Sequence, residues 1–292
     1  MKILLFGKNG QLGWELRRTL APFGEVAALD YEDIDLVDAD ALQQKISELH
    51  PELIVNASAY TDVDGAERDR DKAFAINARA PQIMAEQARS LGAALIHYST
   101  DYVFDGAKKE PYTEGDAAHP LNAYGESKLA GEDAVKSVAQ PYLILRTAWL
   151  YSMRGNNFVT KVLHWSRLHQ KLHIVDDQIS NPTWARILAQ LTAHVLGHGI
   201  DYVRERSGLY HLAGGGHASR YDWAQVILKY DPHPEQQMAT EVVRASTSDI
   251  PTPANRPLYS ALNCDRFAEV FGLRAPPWQQ ELKLALADSI GR

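Results

Sequence analysis

Five short apolar runs punctuate the first 150 residues: KILLF (2–6), VAALD (26–30), ELIVNAS (52–58), AALIHYS (93–99) and YLILRTAW (142–149). Most are nearly continuous rather than alternating, the pattern of strands buried on both faces of a parallel sheet. Longer stretches with a helical period separate them: QLGWELRRTLAP, DALQQKISELH, DKAFAINARAPQIMAEQARSLG and AYGESKLAGEDAVKSV. Repeated strand–helix order predicts an α/β fold, a doubly wound parallel sheet with right-handed crossovers. After residue 150 the rhythm loosens. FVTKVLHWSRLHQ, TWARILAQLTAHVLG and RYDWAQVILKY stay helical, and NPT and PTPANRP break the chain. We expect residues 1–150 to form a nucleotide-binding unit. Residues 151–292 are expected to form mainly a smaller substrate-binding lobe at the sheet's C-terminal edge, with some segments returning to the sheet.

The first run leads directly into GKNGQLG (7–13), and a helical pattern follows. Gly7 suits the tight turn, Gly10 a close approach of pyrophosphate to backbone, and Gly13 close packing of helix on strand. The helix start offers free N–H groups and partial positive charge to phosphates. Asp30 ends the second run, twenty residues after Gly10, where a carboxylate accepts hydrogen bonds from an adenosine ribose. A Rossmann-type dinucleotide site is the expectation. Asp30 favours NAD(H), and nearby Lys8 offsets it and leaves NADP(H) open.

The balance of 30 basic against 37 acidic residues gives a net charge of −7. No basic stripe stands out, which argues against nucleic acid as a partner. A single cysteine, Cys264, rules out an intrachain disulfide and fits a reducing compartment. The N-terminal apolar run is too short for a secretory segment, and no stretch approaches a membrane span. A cytoplasmic protein without membrane contact is expected.

In AYGESK (123–128), Tyr124 and Lys128 stand four apart, so on a helix they share a face. Alone, the pair reads equally as a surface pair. Its company changes that, because HYSTDYVFDG (97–106) ends the fourth run with Ser99 and Thr100 twenty-odd residues earlier. The chemistry suits a ketone reduction, which needs a hydride on carbon and a proton on oxygen. A free phenol has a pKa of about 10. An ammonium about 4 Å away, at an effective dielectric of about 20, stabilises the phenolate by roughly 4 kcal/mol. Tyr124 is then the proton donor, Lys128 lowers its pKa, and Thr100 bonds the carbonyl oxygen.

The glycine loop, Ser99–Thr100 and Tyr124–Lys128 together resemble the extended short-chain dehydrogenase/reductase superfamily. More narrowly, HYSTDYVFDG, PLNAYGESKLAGE, RTAWLY, NNFV, DDQISNPTWA, GLYHLAGGG and PTPANRP, in this order, resemble the dTDP-4-dehydrorhamnose reductase family over essentially the whole chain. The resemblance implies reduction of the 4-keto group of dTDP-4-dehydro-6-deoxy-L-mannose to dTDP-L-rhamnose with NADPH or NADH. It implies that Thr100, Tyr124 and Lys128 are catalytic. Cofactor contacts are implied from Gly7, Gly10, Gln11, Leu12, Gly13, Asp30, Asp35, Leu36, Ala57, Ala59, Tyr60 and Thr61, with Tyr124 and Lys128. Substrate contacts are implied from Thr100, Asp101, Tyr102 and Trp149, and Trp149 reads equally as core packing. Dehydratases of the superfamily carry Asp-Glu after the threonine. Here Asp101-Tyr102 stands instead, which favours simple reduction.

Arg256 in PANRP has the guanidinium geometry that pairs with a substrate diphosphate; an ordinary surface arginine is the competing reading. The histidines are assigned no metal catalysis. Some relatives hold Mg²⁺ between acidic residues at a homodimer contact. Glu15 is present here, but Arg186 stands where those relatives place a glutamate, which counts against a metal bridge and leaves Mg²⁺ open. Two other readings remain: a sugar-nucleotide epimerase that retains its NAD, and a non-catalytic regulatory subunit of the same fold.

Overall fold

The five apolar runs pair side by side in the computed structural model, which describes residues 1–138 and 141–288. They form β1 (Lys2–Phe6), β2 (Glu25–Leu29), β3 (Leu53–Asn56), β4 (Ala94–Thr100) and β5 (Tyr142–Thr147), and a sixth strand, β6 (Gly208–His211), joins beside β5. All neighbours are parallel, in the order β6-β5-β4-β3-β1-β2. The chain steps outward from β1 to β2, then crosses back to β3. The strand order therefore reverses between β1 and β3, and a crevice opens beyond their carboxyl ends.

The pleat sends alternate side chains to opposite layers. Ile3, Leu5, Leu53, Val55 and Ile96 enter one core, which is closed by helix α1 (Gln11–Leu20) through Leu12, Leu16 and Leu20. Leu4, Phe6, Ile54, Leu95 and Ile144 enter the other. There they meet α2 (Ala39–Leu49) through Leu42 and Ile46, α3 (Ala80–Leu91) through Ile83 and Met84, and α4 (Ala123–Val138) through Val135. Burying each large aliphatic side chain contributes about 1.5–3 kcal/mol. That gain explains why runs without polar interruption become the central strands.

The long helical pattern across 71–92 does not fold as one α-helix. It divides into a short helix, Arg70–Phe74, a π-helical turn, Ala75–Arg79, and α3. Pro81 lacks an N–H and cannot continue the regular ladder from the preceding turn. Asn77 in that turn receives the Tyr60 N–H (2.8 Å), and its amide donates to Ser127 Oγ (3.0 Å) on α4.

Beyond β5 the chain contributes to two places. β6 enters the main sheet, and α6 (Ala185–Gly197) packs against α1. A separate apolar cluster gathers Tyr151, Trp184, Trp223 and Leu282 with α5 (Phe158–Ser166) and α7 (Arg220–Lys229). Among the described residues no helix is long and apolar enough to cross a membrane.

Candidate active site

A cavity of about 560 Å³ opens at the carboxyl ends of the strands. Gly7, Gly10, Gln11 and Leu12 line it from the first loop, Asp30 from the end of β2, and Ala57, Ala59 and Thr61 from the loop after β3. Gly7 has φ +87°, and a Cβ there would lie 2.8 Å from the Ala57 backbone, so only glycine fits this turn. Gly10 caps α1 without a side chain, leaving the first N–H groups of that helix open toward the cavity. A second cavity of about 470 Å³ shares Gly7, Asp30 and Ala59 and adds Asp35 and Leu36. The residues implied for the adenosine end therefore lie together.

Two of the implied cofactor residues do not line either cavity among the described residues. Gly13 is a packing residue: a Cβ there would come within 1.8 Å of the Gly7 carbonyl oxygen. Tyr60 exchanges hydrogen bonds with the Asn77 amide through its backbone. Around Asp30 the wall is polar and acidic. Asp30 accepts the Asn9 N–H (2.8 Å), and Lys8 Nζ donates to Asp33 (2.5 Å). The lysine that sequence analysis set against Asp30 is thus already paired with another carboxylate.

Thr100, Tyr124 and Lys128 line the same large cavity as the glycine loop. Thr100 closes β4, where its Oγ1 accepts the Tyr102 N–H (3.2 Å). Tyr124 and Lys128 lie one turn apart on α4. That helix is anchored at its start by Asn122, which accepts the Gly125 N–H (2.8 Å), and by Glu67, which accepts the Ala123 N–H (2.8 Å). The glycine between tyrosine and lysine has a steric reason. A Cβ at Gly125 would lie 2.2 Å from the Tyr102 carbonyl oxygen, so a larger residue would push α4 off the segment that follows β4.

The electrostatics differ from the expectation in one respect. Lys128 shares a helix face with Tyr124, yet its ammonium donates to the Tyr98 carbonyl (2.7 Å). Burial raises the Tyr124 pKa above the ordinary phenol value, and Thr100 only partly opposes it. Lys128 itself is buried, and desolvation pulls its pKa down to about 8 although Glu132 opposes the shift. The i,i+4 spacing orients both side chains toward one face, but the nearest strong acceptor decides where the ammonium goes.

Asp101, Tyr102 and Trp149 also line the cavity. Asp101 is buried and saturated: its carboxylate accepts Ser180 Oγ (2.9 Å), Ser260 Oγ (2.5 Å) and Thr100 Oγ1 (3.2 Å). It ties the end of β4 to two distant segments of the C-terminal half. Tyr102 meets Tyr124 edge-on, with ring centroids 5.7 Å apart. Trp149 holds φ +38°, unusual for a bulky residue, and its ring stacks on Trp223 at 5.4 Å. Arg256 does not line the cavity; it pairs with Asp64 (2.8 Å).

Sequence reasoning passed over several lining residues, among them Ser58, Thr147, Asn156 and Arg220. Thr147 and Asn156 fall within the RTAWLY and NNFV motifs but are given no role there, and Ser58 and Arg220 carry no local signal. Arg220 in particular reads only as the start of a helical segment, RYDWAQVILKY.

The Mg²⁺ question left open by the sequence turns on the surroundings of Glu15. Glu15 faces the Arg186 guanidinium (3.4 Å), and Arg186 also pairs with Asp288. A cation is thus already built in beside the carboxylate, so these residues do not fit Mg²⁺ and no step is assigned to it. His169/His173 and His194/His198 have an i,i+4 spacing. Even so, no group of three or more His, Cys, Asp or Glu among the described residues is arranged to hold a metal.

A parallel sheet with a glycine loop at its reversal point, and a threonine, tyrosine and lysine gathered on the same cavity, defines a nicotinamide-dependent oxidoreductase of the short-chain dehydrogenase/reductase type. Comparison with known proteins is more specific: the chain belongs to the dTDP-4-dehydrorhamnose reductase family, matching the family model described as RmlD substrate binding domain over residues 1–290. It is 41% identical to the dTDP-4-dehydrorhamnose reductase of Salmonella typhimurium over 99% of this chain and 98% of that one. The Escherichia coli K12 reductase is 40% identical over 98% and 97%. Among solved structures, a dTDP-4-dehydrorhamnose reductase from Clostridium acetobutylicum superposes with a TM-score of 0.91 at 36% identity, covering 100% of both chains. The Bacillus anthracis reductase in complex with NADP superposes with a TM-score of 0.89 at 32% identity, covering 98% of this chain and 99% of that one.

Proposed function

We infer that this chain reduces the 4-keto group of dTDP-4-dehydro-6-deoxy-L-mannose to give dTDP-L-rhamnose, using NADPH or NADH. One observation carries the reading: Thr100, Tyr124 and Lys128 line a single cavity with the glycine loop and Asp30. Family membership over nearly the full chain supports the substrate.

Gly7, Gly10, the open start of α1 and Asp30 fit the diphosphate and ribose of NAD(P)H, which supplies the hydride when bound. The Tyr124 hydroxyl delivers a proton to the ketone oxygen as the hydride reaches C4. Its raised pKa keeps it in the donor form at neutral pH. The phenolate left behind is the costly species, and Lys128 supplies the positive charge on the same helix face. Thr100 Oγ1 takes the second position on the ketone oxygen. Tyr102, standing where dehydratases carry a second acid, offers no carboxyl for eliminating water. The reading takes a dTDP-sugar as small-molecule partner and a cytoplasmic setting. Any homodimer would form without a metal bridge, because Arg186 already neutralises Glu15.

The purified protein is expected to consume NADPH or NADH when given dTDP-4-dehydro-6-deoxy-L-mannose, followed at the nicotinamide absorbance. No consumption with either cofactor, or release of water from a dTDP-hexose, would overturn the reading.

Lys128 sets the alkaline side of activity. Its charged form is lost as pH rises through about 8. The pH profile of kcat/KM is therefore expected to bend downward near that value, and Lys128→Arg to move the bend to higher pH in the activity that survives. A flat profile to pH 9.5 or so would exclude the ammonium from the reaction.

Both cofactors are expected to support turnover, with NADH favoured. Lys8 is held by Asp33, so Asp30 is the group that most opposes a 2′-phosphate. Asp30→Ala is expected to raise the NADPH:NADH ratio of kcat/KM by about tenfold, or about 1.4 kcal/mol. Steady-state kinetics with both cofactors measures it, and an unchanged ratio would remove Asp30 from cofactor discrimination.

A further inference from the structure

A nucleotide sugar and a dinucleotide cofactor each carry a diphosphate, and one cavity must hold both. The open start of α1 serves one of them. We propose that Arg220 is the anchor for the diphosphate of the nucleotide-sugar substrate, an assignment that rests on the reductase reading above.

Four charged side chains line the large cavity: Asp30, Asp101, Lys128 and Arg220. The two carboxylates repel a diphosphate, and Lys128 is committed to the Tyr98 carbonyl beneath the catalytic tyrosine. Arg220 remains. It is the first residue of α7 and comes from the C-terminal half, as do Trp149 and Asn156 beside it. Among the described residues no carboxylate lies within ion-pair distance of it, whereas Arg256 is neutralised by Asp64. A guanidinium without a carboxylate partner on a cavity wall invites an anion.

The surroundings hold that guanidinium in place. It lies 3.8 Å from the centre of the Trp149 ring and 4.7 Å from that of Phe158. Trp149 is in turn stacked on Trp223 and fixed in its unusual backbone conformation. Cation–π contacts of this kind orient a planar fork without using its donors. On the other side the Tyr102 hydroxyl faces both Arg220 and Arg256. Burial disfavours the Arg220 charge, Tyr102 and Asp101 offset this only in part, and Arg256 adds like-charge repulsion. A dianion set beside Tyr102 relieves both costs. It also places the sugar next to Tyr124, because the Tyr102 and Tyr124 rings are in contact.

The test measures binding of dTDP, thymidine and NADPH to wild type, Arg220→Gln and Arg220→Lys by calorimetry, with steady-state kinetics on the keto sugar. Arg220→Gln is expected to weaken dTDP about thirtyfold or more and to raise KM more than it lowers kcat, as loss of a bidentate charged contact does. Thymidine and NADPH affinities are expected to stay within about twofold. Arg220→Lys, which keeps the charge but not the fork, is expected to recover only part of the loss. Binding of dTDP to Arg220→Gln within threefold or so of wild type overturns the proposal. If Arg220→Gln also loses NADPH binding, the lysine variant decides: dTDP weakened about tenfold with NADPH retained supports the anchor, and unchanged dTDP binding overturns it. A wild type that reduces the ketone while Arg220→Gln binds dTDP normally removes this inference alone. A wild type that binds dTDP through Arg220 but reduces no ketone keeps the anchor and removes the reductase reading.

Discussion

Replacing Tyr124 with phenylalanine is expected to lower kcat by about 10²–10⁴-fold, the range that a positioned proton donor contributes. The ring stays and only the hydroxyl goes, so the edge contact with Tyr102 and the packing of α4 survive. NADPH affinity is expected to remain within about threefold of wild type, because the loop, the start of α1 and Asp30 are untouched. The loss falls on kcat and kcat/KM together, since the interaction is made only as the proton moves. Single-turnover kinetics with saturating cofactor separates it from slow product release. A variant with near-normal turnover would move the proton donor elsewhere on the cavity.

The largest effect on stability is expected from Glu132→Ala. Glu132 and Arg146 form a buried two-pronged pair, with Arg146 Nε 2.8 Å from one carboxylate oxygen and Nη2 2.7 Å from the other. Burial alone would raise the Glu132 pKa; Arg146 reverses that and holds it below the usual carboxylate range. Removing the carboxylate leaves Arg146, on β5, charged and buried beside a neutral His211 on β6, whose pKa burial lowers to about 3. Breaking one side of such a pair costs about 3–5 kcal/mol, on the order of 10 °C in Tm for a chain of this size. Thermal or urea unfolding measures it. Lys136→Ala, at the half-exposed end of the same network, is the comparison and is expected to cost under about 1 kcal/mol. The sign with pH follows from the lowered pKa. The pair contributes fully above the ordinary carboxylate value of about 4.3 and is lost as acid protonates Glu132. Equal stability of the two variants would show that the pair is no more important than a surface one.

Glu132 also bears on the proposed chemistry. It is the opposing charge that keeps the Lys128 pKa from falling further. The network that holds α4 to β5 therefore also helps hold the ammonium beneath Tyr124 in its charged form. On the proposed mechanism, stability and proton delivery share one buried carboxylate.

Much of this protein was legible in its sequence because the controlling forces are local. Runs such as KILLF and ELIVNAS bury on both faces wherever they go, so their composition alone made them central strands of a parallel sheet. GKNGQLG after such a run is a turn that only glycine tolerates at Gly7, and YGESK sets Tyr124 and Lys128 on one helix face. Other features depend on contacts between residues far apart in the chain. Arg256 has the chemistry of a phosphate ligand, but Asp64, 192 positions away, claims it. Lys128 points to the Tyr98 carbonyl because β4 lies beneath α4. Asp101 is drawn into a clamp by Ser180 and Ser260. Arg220 reaches the cavity only because Trp149 and Phe158 form the wall on which it stacks. Backbone periodicity is set by neighbours three or four residues away and so is written in the sequence. The partner of a charged side chain is whichever opposite charge or ring the fold brings within a few ångströms, and only the tertiary structure decides that.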